Sequence, residues 1–133
     1  MVSFLVKARD ASQTLKRALK SIVDVCTAVN FDNFEIVVVI HLCVDNTEQI
    51  ARAFQKEYPH VDMRVIHYKV EVSRPGVATF VTPPDNKHSL ATYYTFCWKL
   101  CRGLHRFKFD SDMVLSLPLA MYMKNNLSRL TSH

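Results

Sequence analysis

Apolar positions along this chain fall into two alternating rhythms. Val2-Ser3-Phe4-Leu5-Val6 is a short, nearly continuous apolar run that predicts a strand. Asp10 and Gln13 follow with capping-box spacing, an acceptor at the N-cap and an amide three residues on. Leu15, Leu19, Ile22, Val23 and Cys26 then recur at helical spacing, with Lys16, Arg17 and Lys20 on the wet face. After a turn around Asn30 to Asn33 comes Phe34-Glu35-Ile36-Val37-Val38-Val39-Ile40. Its interior is β-branched and does not alternate, which predicts a strand buried on both faces.

Asp45 and Glu48 repeat the capping-box spacing, and Ile50, Ala51, Phe54 and Tyr58 form the next helical stripe, stopped by Pro59. Val61 to Tyr68 alternates as a third strand and runs into a long loop with Pro75, Gly76, Pro83 and Pro84. Ser89 opens a third helix to about Arg102, with Gly103 as its C-cap. Phe107-Lys108-Phe109 is a short strand that delivers Asp110-Ser111-Asp112. Pro118 suits a helix N1 position, and a last helix runs toward Leu130. The order predicts one α/β domain over residues 1–133: a three-layer, Rossmann-like, mainly parallel sheet flanked by helices.

Composition agrees with that outline. The 133 residues are 49% hydrophobic and 22% charged, a globular balance that excludes disorder and low complexity. No apolar run approaches the roughly 18–20 residues needed to span a bilayer. Lys7 and Arg9 interrupt the first apolar run too early for a signal peptide. Cys26, Cys43, Cys97 and Cys101 form no CxxC pair, so the expectation is a reducing, cytoplasmic setting with free thiols. The net charge of +5 suits a polyanionic ligand and equally suits ordinary solubility. Because the basic residues are scattered rather than blocked, no nucleic-acid partner is expected.

In a parallel α/β sheet the ligand lies beyond the carboxyl ends of the strands. Three segments converge there: Lys7-Ala8-Arg9-Asp10, His41-Leu42-Cys43-Val44-Asp45 and Asp110-Ser111-Asp112. Asp110 and Asp112, one residue apart at a strand end, offer hard oxygen ligands for one Mg²⁺ or Mn²⁺. The same three residues also suit an ordinary turn or N-cap. With only Gly76 and Gly103 in the chain, there is no glycine-rich cradle for a dinucleotide or a P-loop phosphate. Cys97, Cys101 and His105 recur every fourth residue, but no fourth zinc ligand is evident and core packing is the default. Tyr93, Tyr94, Phe96 and Trp98 point to several faces of one helix, which suits core filling better than a base-stacking platform.

These blocks, taken in order, resemble the family 2 glycosyltransferases of the GT-A fold. The resemblance rests on Val2-Ser3-Phe4-Leu5-Val6 with Leu15 to Ile22, and on Phe34 to Val39 with Asp45-Asn46-Thr47-Glu48-Gln49-Ile50-Ala51. Arg102-Gly103, a strand, and Asp110-Ser111-Asp112-Met113-Val114-Leu115 complete it, so that it covers residues 2 to about 123. It implies a nucleotide-diphosphate sugar donor and transfer of the sugar to an acceptor hydroxyl, on a glycan, lipid or protein. It further implies Mn²⁺ or Mg²⁺ at the DxD motif, with Asp112 as direct ligand and Asp110 toward the ribose or the metal's water shell. Lys7, Ala8, Arg9, Asp10, His41, Asp110, Ser111 and Asp112 are the implied donor-binding residues.

The chain also departs from the family. Two aspartates usually end the second strand, where this chain has Ile40 and His41. The first loop is Lys7-Ala8-Arg9-Asp10, and Tyr94-Thr95 stand where an Arg-Asn pair is usual. Only 21 residues follow Asp112, none of them acidic, so no catalytic base is identified. The expectation is the donor-binding, N-terminal half of such an enzyme, truncated after the DxD motif. Two rivals stand beside it: a non-catalytic nucleotide-sugar-binding module or degenerate remnant, and a sugar nucleotidyltransferase. The latter would carry a glycine-rich first loop, which Lys7 to Asp10 is not.

Overall fold

A computed structural model of the chain describes residues 1–70, 72 and 89–127. Strand β1 (Val2–Ala8) leads to α1 (Leu15–Ala28), β2 (Phe34–His41), α2 (Thr47–Glu57) and β3 (Met63–Tyr68). Helix α3 (Leu90–Leu100), β4 (His105–Lys108) and α4 (Leu117–Tyr122) follow, and a π-helical turn over Met123–Leu127 extends α4. The predicted loop prolines, Gly76 and Leu130 lie outside the described residues.

The strands form one parallel sheet in the order β3-β2-β1-β4. Its crossover helices explain the unalternating run of β2. Ile36, Val38 and Ile40 point to one face and pack with Leu15, Leu19, Ile22, Ala51 and Phe54 from α1 and α2. Val37 and Val39 point to the other and pack with Tyr68, Tyr93, Cys97 and Cys101. Successive strand side chains alternate faces, so a strand covered on both sides must be apolar at every position. The expected α/β three-layer sheet is the fold observed.

One acid in β2 breaks the apolar pattern and is fully buried. Glu35 accepts hydrogen bonds from Ser3 Oγ (2.6 Å), the Arg102 backbone N–H (2.6 Å), Arg102 Nε (2.9 Å) and an Arg64 guanidinium N–H (3.1 Å). Arg64 also donates to the Leu100 carbonyl, and Arg102 to Asp62. Burial alone would raise the Glu35 pKa, but its donors outweigh burial and hold it at about 2. This knot ties β1, β2, β3 and the end of α3 together at the amino-terminal end of the sheet.

Several local expectations are corrected. Helix α1 begins at Leu15 with Thr14 at its N-cap, and α2 begins at Thr47 after Asn46, so Asp10 and Asp45 cap neither helix. Helix α3 ends at Leu100 with an extended Cys101 after it, so Gly103 is not its C-cap. Gly103 instead donates its N–H to Ser3 Oγ at 2.8 Å, and a Cβ there would lie 2.6 Å from Ser3 Oγ and 2.7 Å from the Met1 carbonyl. The glycine is required for close approach of two backbones. Ser89 does cap α3, accepting the Thr92 N–H at 3.0 Å, and Pro118 opens α4 behind the Ser116 cap. All four cysteines are free. Among the described residues, no helix is long and apolar enough to cross a membrane.

Candidate functional site

Parallel strands deliver their following loops to one end of the sheet, and here β1 and β4 are neighbours. The loops after them therefore face one another. Between them lies an open cleft of about 520 Å³, lined by Lys7, Arg9 and Asp10 from one side and Lys108, Asp110, Ser111 and Asp112 from the other. Ala11 and Thr14 complete it at the entrance to α1. Of the eight sequence-predicted residues, six line this cleft. The other two do not: Ala8 is buried, and His41 is buried on the aromatic side of the sheet.

The Asp110-Ser111-Asp112 segment is also a turn, closed by the Met113 N–H donating to the Asp110 carbonyl at 2.9 Å. Helix α1 anchors it, since Arg17 donates to the Asp112 carbonyl (3.4 Å) and Ser21 Oγ accepts from the Leu115 N–H (2.9 Å). Both contacts use backbone atoms of the loop, which leaves its carboxylates toward the cleft. The Asp110 carboxylate lies 4.0 Å from the Lys108 ammonium. Among the described residues, no side chain pairs with the Asp112 carboxylate. Two exposed carboxylates with little other commitment are a donor set that fits a hard divalent cation.

A second group could superficially be taken for a metal centre. Ligand atoms of Asp10, Cys43 and Asp45 all lie within 4.8 Å of one another. Their hydrogen bonds show a different use. Asp10 Oδ1 accepts the Val44 N–H (2.8 Å), and Asp45 accepts the N–H groups of Ser12 (3.2 Å) and Thr47 (3.0 Å). Thr47 Oγ1 accepts the Ala11 N–H at 2.8 Å, and Cys43 Sγ donates to the Ala8 carbonyl at 3.5 Å. These bonds staple the loop after β1 to the loop after β2. The hydrogen bond from Thr47, against a smaller desolvation effect, holds the Asp45 carboxyl below the usual range. Asp10 and Leu42 sit in this staple with left-handed backbones, φ 49° and φ 45°.

On the opposite face of the sheet, His41 donates from Nε2 to the Val70 carbonyl (2.9 Å) and stacks on Tyr93 at 4.8 Å. Tyr93 in turn stacks on Tyr68 (4.8 Å) and meets Tyr94 (5.9 Å). Burial pushes the Tyr93 phenol up, so it stays neutral. Tyr94 ends this row at the cleft, where the Lys7 ammonium lies 3.6 Å from its ring centre and that of Lys108 5.6 Å. Sequence reasoning missed both Lys108 and Tyr94. Lys108 was legible, because strand alternation puts residues 108 and 110 on one side. Tyr94 carried no such signal, because only the packing of α3 brings it near Lys7.

No sequence-family model and no curated protein matches the chain. Solved structures do resemble it. S. aureus TarS 1–349 superposes with a TM-score of 0.62 at 16% identity, over 99% of this chain and 32% of that one. TarS 1–349 in complex with UDP gives 0.63 at 16% identity, over 95% and 32%. A further TarS structure gives 0.57 at 18% identity, over 84% of this chain and 16% of that one. The chain thus spans about a third of the TarS 1–349 chains, and the likeness is one of fold. The GT-A-like arrangement implied by the sequence is the arrangement found.

Proposed function

We propose that this chain is the donor-binding part of a glycosyltransferase, holding a nucleotide-diphosphate sugar in the cleft between the loops after β1 and β4. The observation that carries the reading is the meeting of two sets of residues in that cleft. Lys7 and Arg9 bring positive charge, and Asp110 and Asp112 bring carboxylates with little other commitment. A GT-A-like fold supports it, as does the UDP complex of the similar TarS structure.

In this reading Asp112 and Asp110 hold Mn²⁺ or Mg²⁺, which as a Lewis acid supplies the charge that neutralises a departing nucleoside diphosphate. Lys7 and Arg9 contribute fixed charge to the same phosphates. Asp10 shapes the cleft instead of binding, because its carboxylate is engaged by the Val44 N–H. His41 supports the site from the buried face. The acceptor hydroxyl, on a glycan, lipid or protein, would be met by polypeptide outside this cleft.

The test is calorimetric titration of UDP with Mn²⁺ and with chelator. Mn²⁺ is expected to tighten binding by at least about tenfold, the equivalent of 1.4 kcal/mol. Asp112→Asn should abolish that difference without changing the melting temperature, since the residue is exposed. Equal affinity with and without metal would sink the metal assignment, and no UDP binding at all would sink the donor site.

A further inference from the structure

Lys7 is unusual among the cations of the cleft. It is half-buried at the end of β1, and among the described residues no carboxylate lies within ion-pair distance of it. Desolvation, ahead of the other influences on it, pulls its pKa down. A partly buried ammonium without a counter-ion is costly, so something must hold it in place. Its ammonium lies over the face of Tyr94, 3.6 Å from the ring centre, with the Tyr93 ring centre farther off at 5.8 Å. The same ring lies 5.6 Å from the ammonium of Lys108, although two like charges repel. An aromatic face carries negative electrostatic potential and can attract two cations at once.

The ring is well supported for this. Tyr93 meets it at 5.9 Å in near-parallel stacking, and Tyr93 is itself packed between His41 and Tyr68. Tyr94 is only partly covered, at 40% exposure, so it is not needed to fill the core. We infer that Tyr94 is a positioning residue for a diphosphate: its ring gathers the Lys7 and Lys108 ammoniums at the mouth of the cleft, where they meet phosphate oxygens. Tyr94 touches the lysines and not the ligand. This inference rests on the donor-site reading and adds to it a source of phosphate-binding charge separate from any metal.

The experiment titrates UDP and inorganic pyrophosphate into the wild-type chain and into Tyr94→Phe, Tyr94→Leu, Lys7→Met and the Tyr94→Leu/Lys7→Met double variant. Chelator is present throughout, so that only the side-chain contribution is read. Tyr94→Leu should weaken both ligands by about tenfold, the range of a partly desolvated cation–π contact. It should also flatten the salt dependence. Tyr94→Phe, which keeps the ring face and loses the hydroxyl, should bind within about twofold of wild type. The double variant should be weaker than Lys7→Met alone only by what the ring still does for Lys108, so the two losses should be clearly less than additive.

Wild-type affinity in Tyr94→Leu overturns the inference and leaves the donor site standing. So does failure of Tyr94→Phe to restore binding, or full additivity in the double variant. A wild-type chain that binds neither probe, with chelator or with Mn²⁺, removes the donor site and the role of Tyr94 together. Unchanged melting temperatures across the single variants establish that folding is not what is being read.

Discussion

Glu35 and Arg102 are joined twice, by the arginine's backbone N–H at 2.6 Å and by its Nε at 2.9 Å, each to a different carboxylate oxygen. That double contact closes the end of the sheet opposite the candidate site. It fastens the segment entering β4 to the start of β2, and so sets where the loop after β4 emerges.

The pairing predicts a particular acid response. The Glu35 carboxyl is held at about 2, below its ordinary 4.5, so the folded chain favours the ionised form. The resulting stabilisation, about 3 kcal/mol, is complete above the unfolded pKa and disappears as pH falls from about 4.5 toward 2. Glu35→Gln should cost about 3–5 kcal/mol at neutral pH, because Arg64 loses its counter-charge and Arg102 is left with Asp62 alone. It should also flatten the stability curve over that acid window. Urea denaturation of both forms at pH 7 and pH 3 measures this, and parallel curves would refute it.

Gly103 predicts a steric failure. A methyl at this position meets Ser3 Oγ at 2.6 Å and the Met1 carbonyl at 2.7 Å, and at least one contact is with backbone that cannot rotate away. Gly103→Ala should therefore destabilise by about 1–3 kcal/mol, as overpacking does. Chemical denaturation reads the value directly. A neutral result would mean that β1 shifts freely relative to β4.

Leu42 predicts the reverse sign. Its φ of 45° is unfavourable for a bulky side chain by about 1–2 kcal/mol, and glycine carries no such cost. Gly also gives the unfolded chain more freedom, which offsets about 0.5–1 kcal/mol. Leu42→Gly should therefore be neutral to stabilising by up to about 1 kcal/mol. Leu42→Val should lose more than about 1 kcal/mol, because a β-branched residue tolerates this backbone worst. Equal stability of the two variants would show that the backbone relaxes.

The ease of reading each feature from sequence follows its physical range. Strands β1 to β3 and helices α1 and α2 were legible because burial leaves a periodic record in adjacent residues. Asp110 and Asp112 were legible because their partner in function is two positions away. The capping boxes misled because Asp10 accepts from Val44 in the neighbouring loop, 34 positions distant, and Asp45 is shared between Thr47 and Ser12, the latter 33 positions distant. Glu35 lay in an apolar run, and its three partners are scattered from Ser3 to Arg102. Tyr94 was assigned to core filling along with its neighbours. What separates it from Tyr93 is a facing direction, and helix α3 alone does not set that.

The strand order has a consequence for synthesis. β1 lies between β2 and β4, with Val2 opposite Phe34 on one side and opposite His105 on the other. Strand β1 thus gains one neighbour early and must wait for the segment beginning at His105 before gaining the other. Until then its outer edge, bearing Phe4 and Leu5, is open to pairing with other chains. The same late strand carries the Asp110-Ser111-Asp112 loop to the cleft. The cleft between the loops after β1 and β4 is therefore assembled only once Asp110, Ser111 and Asp112 have been made.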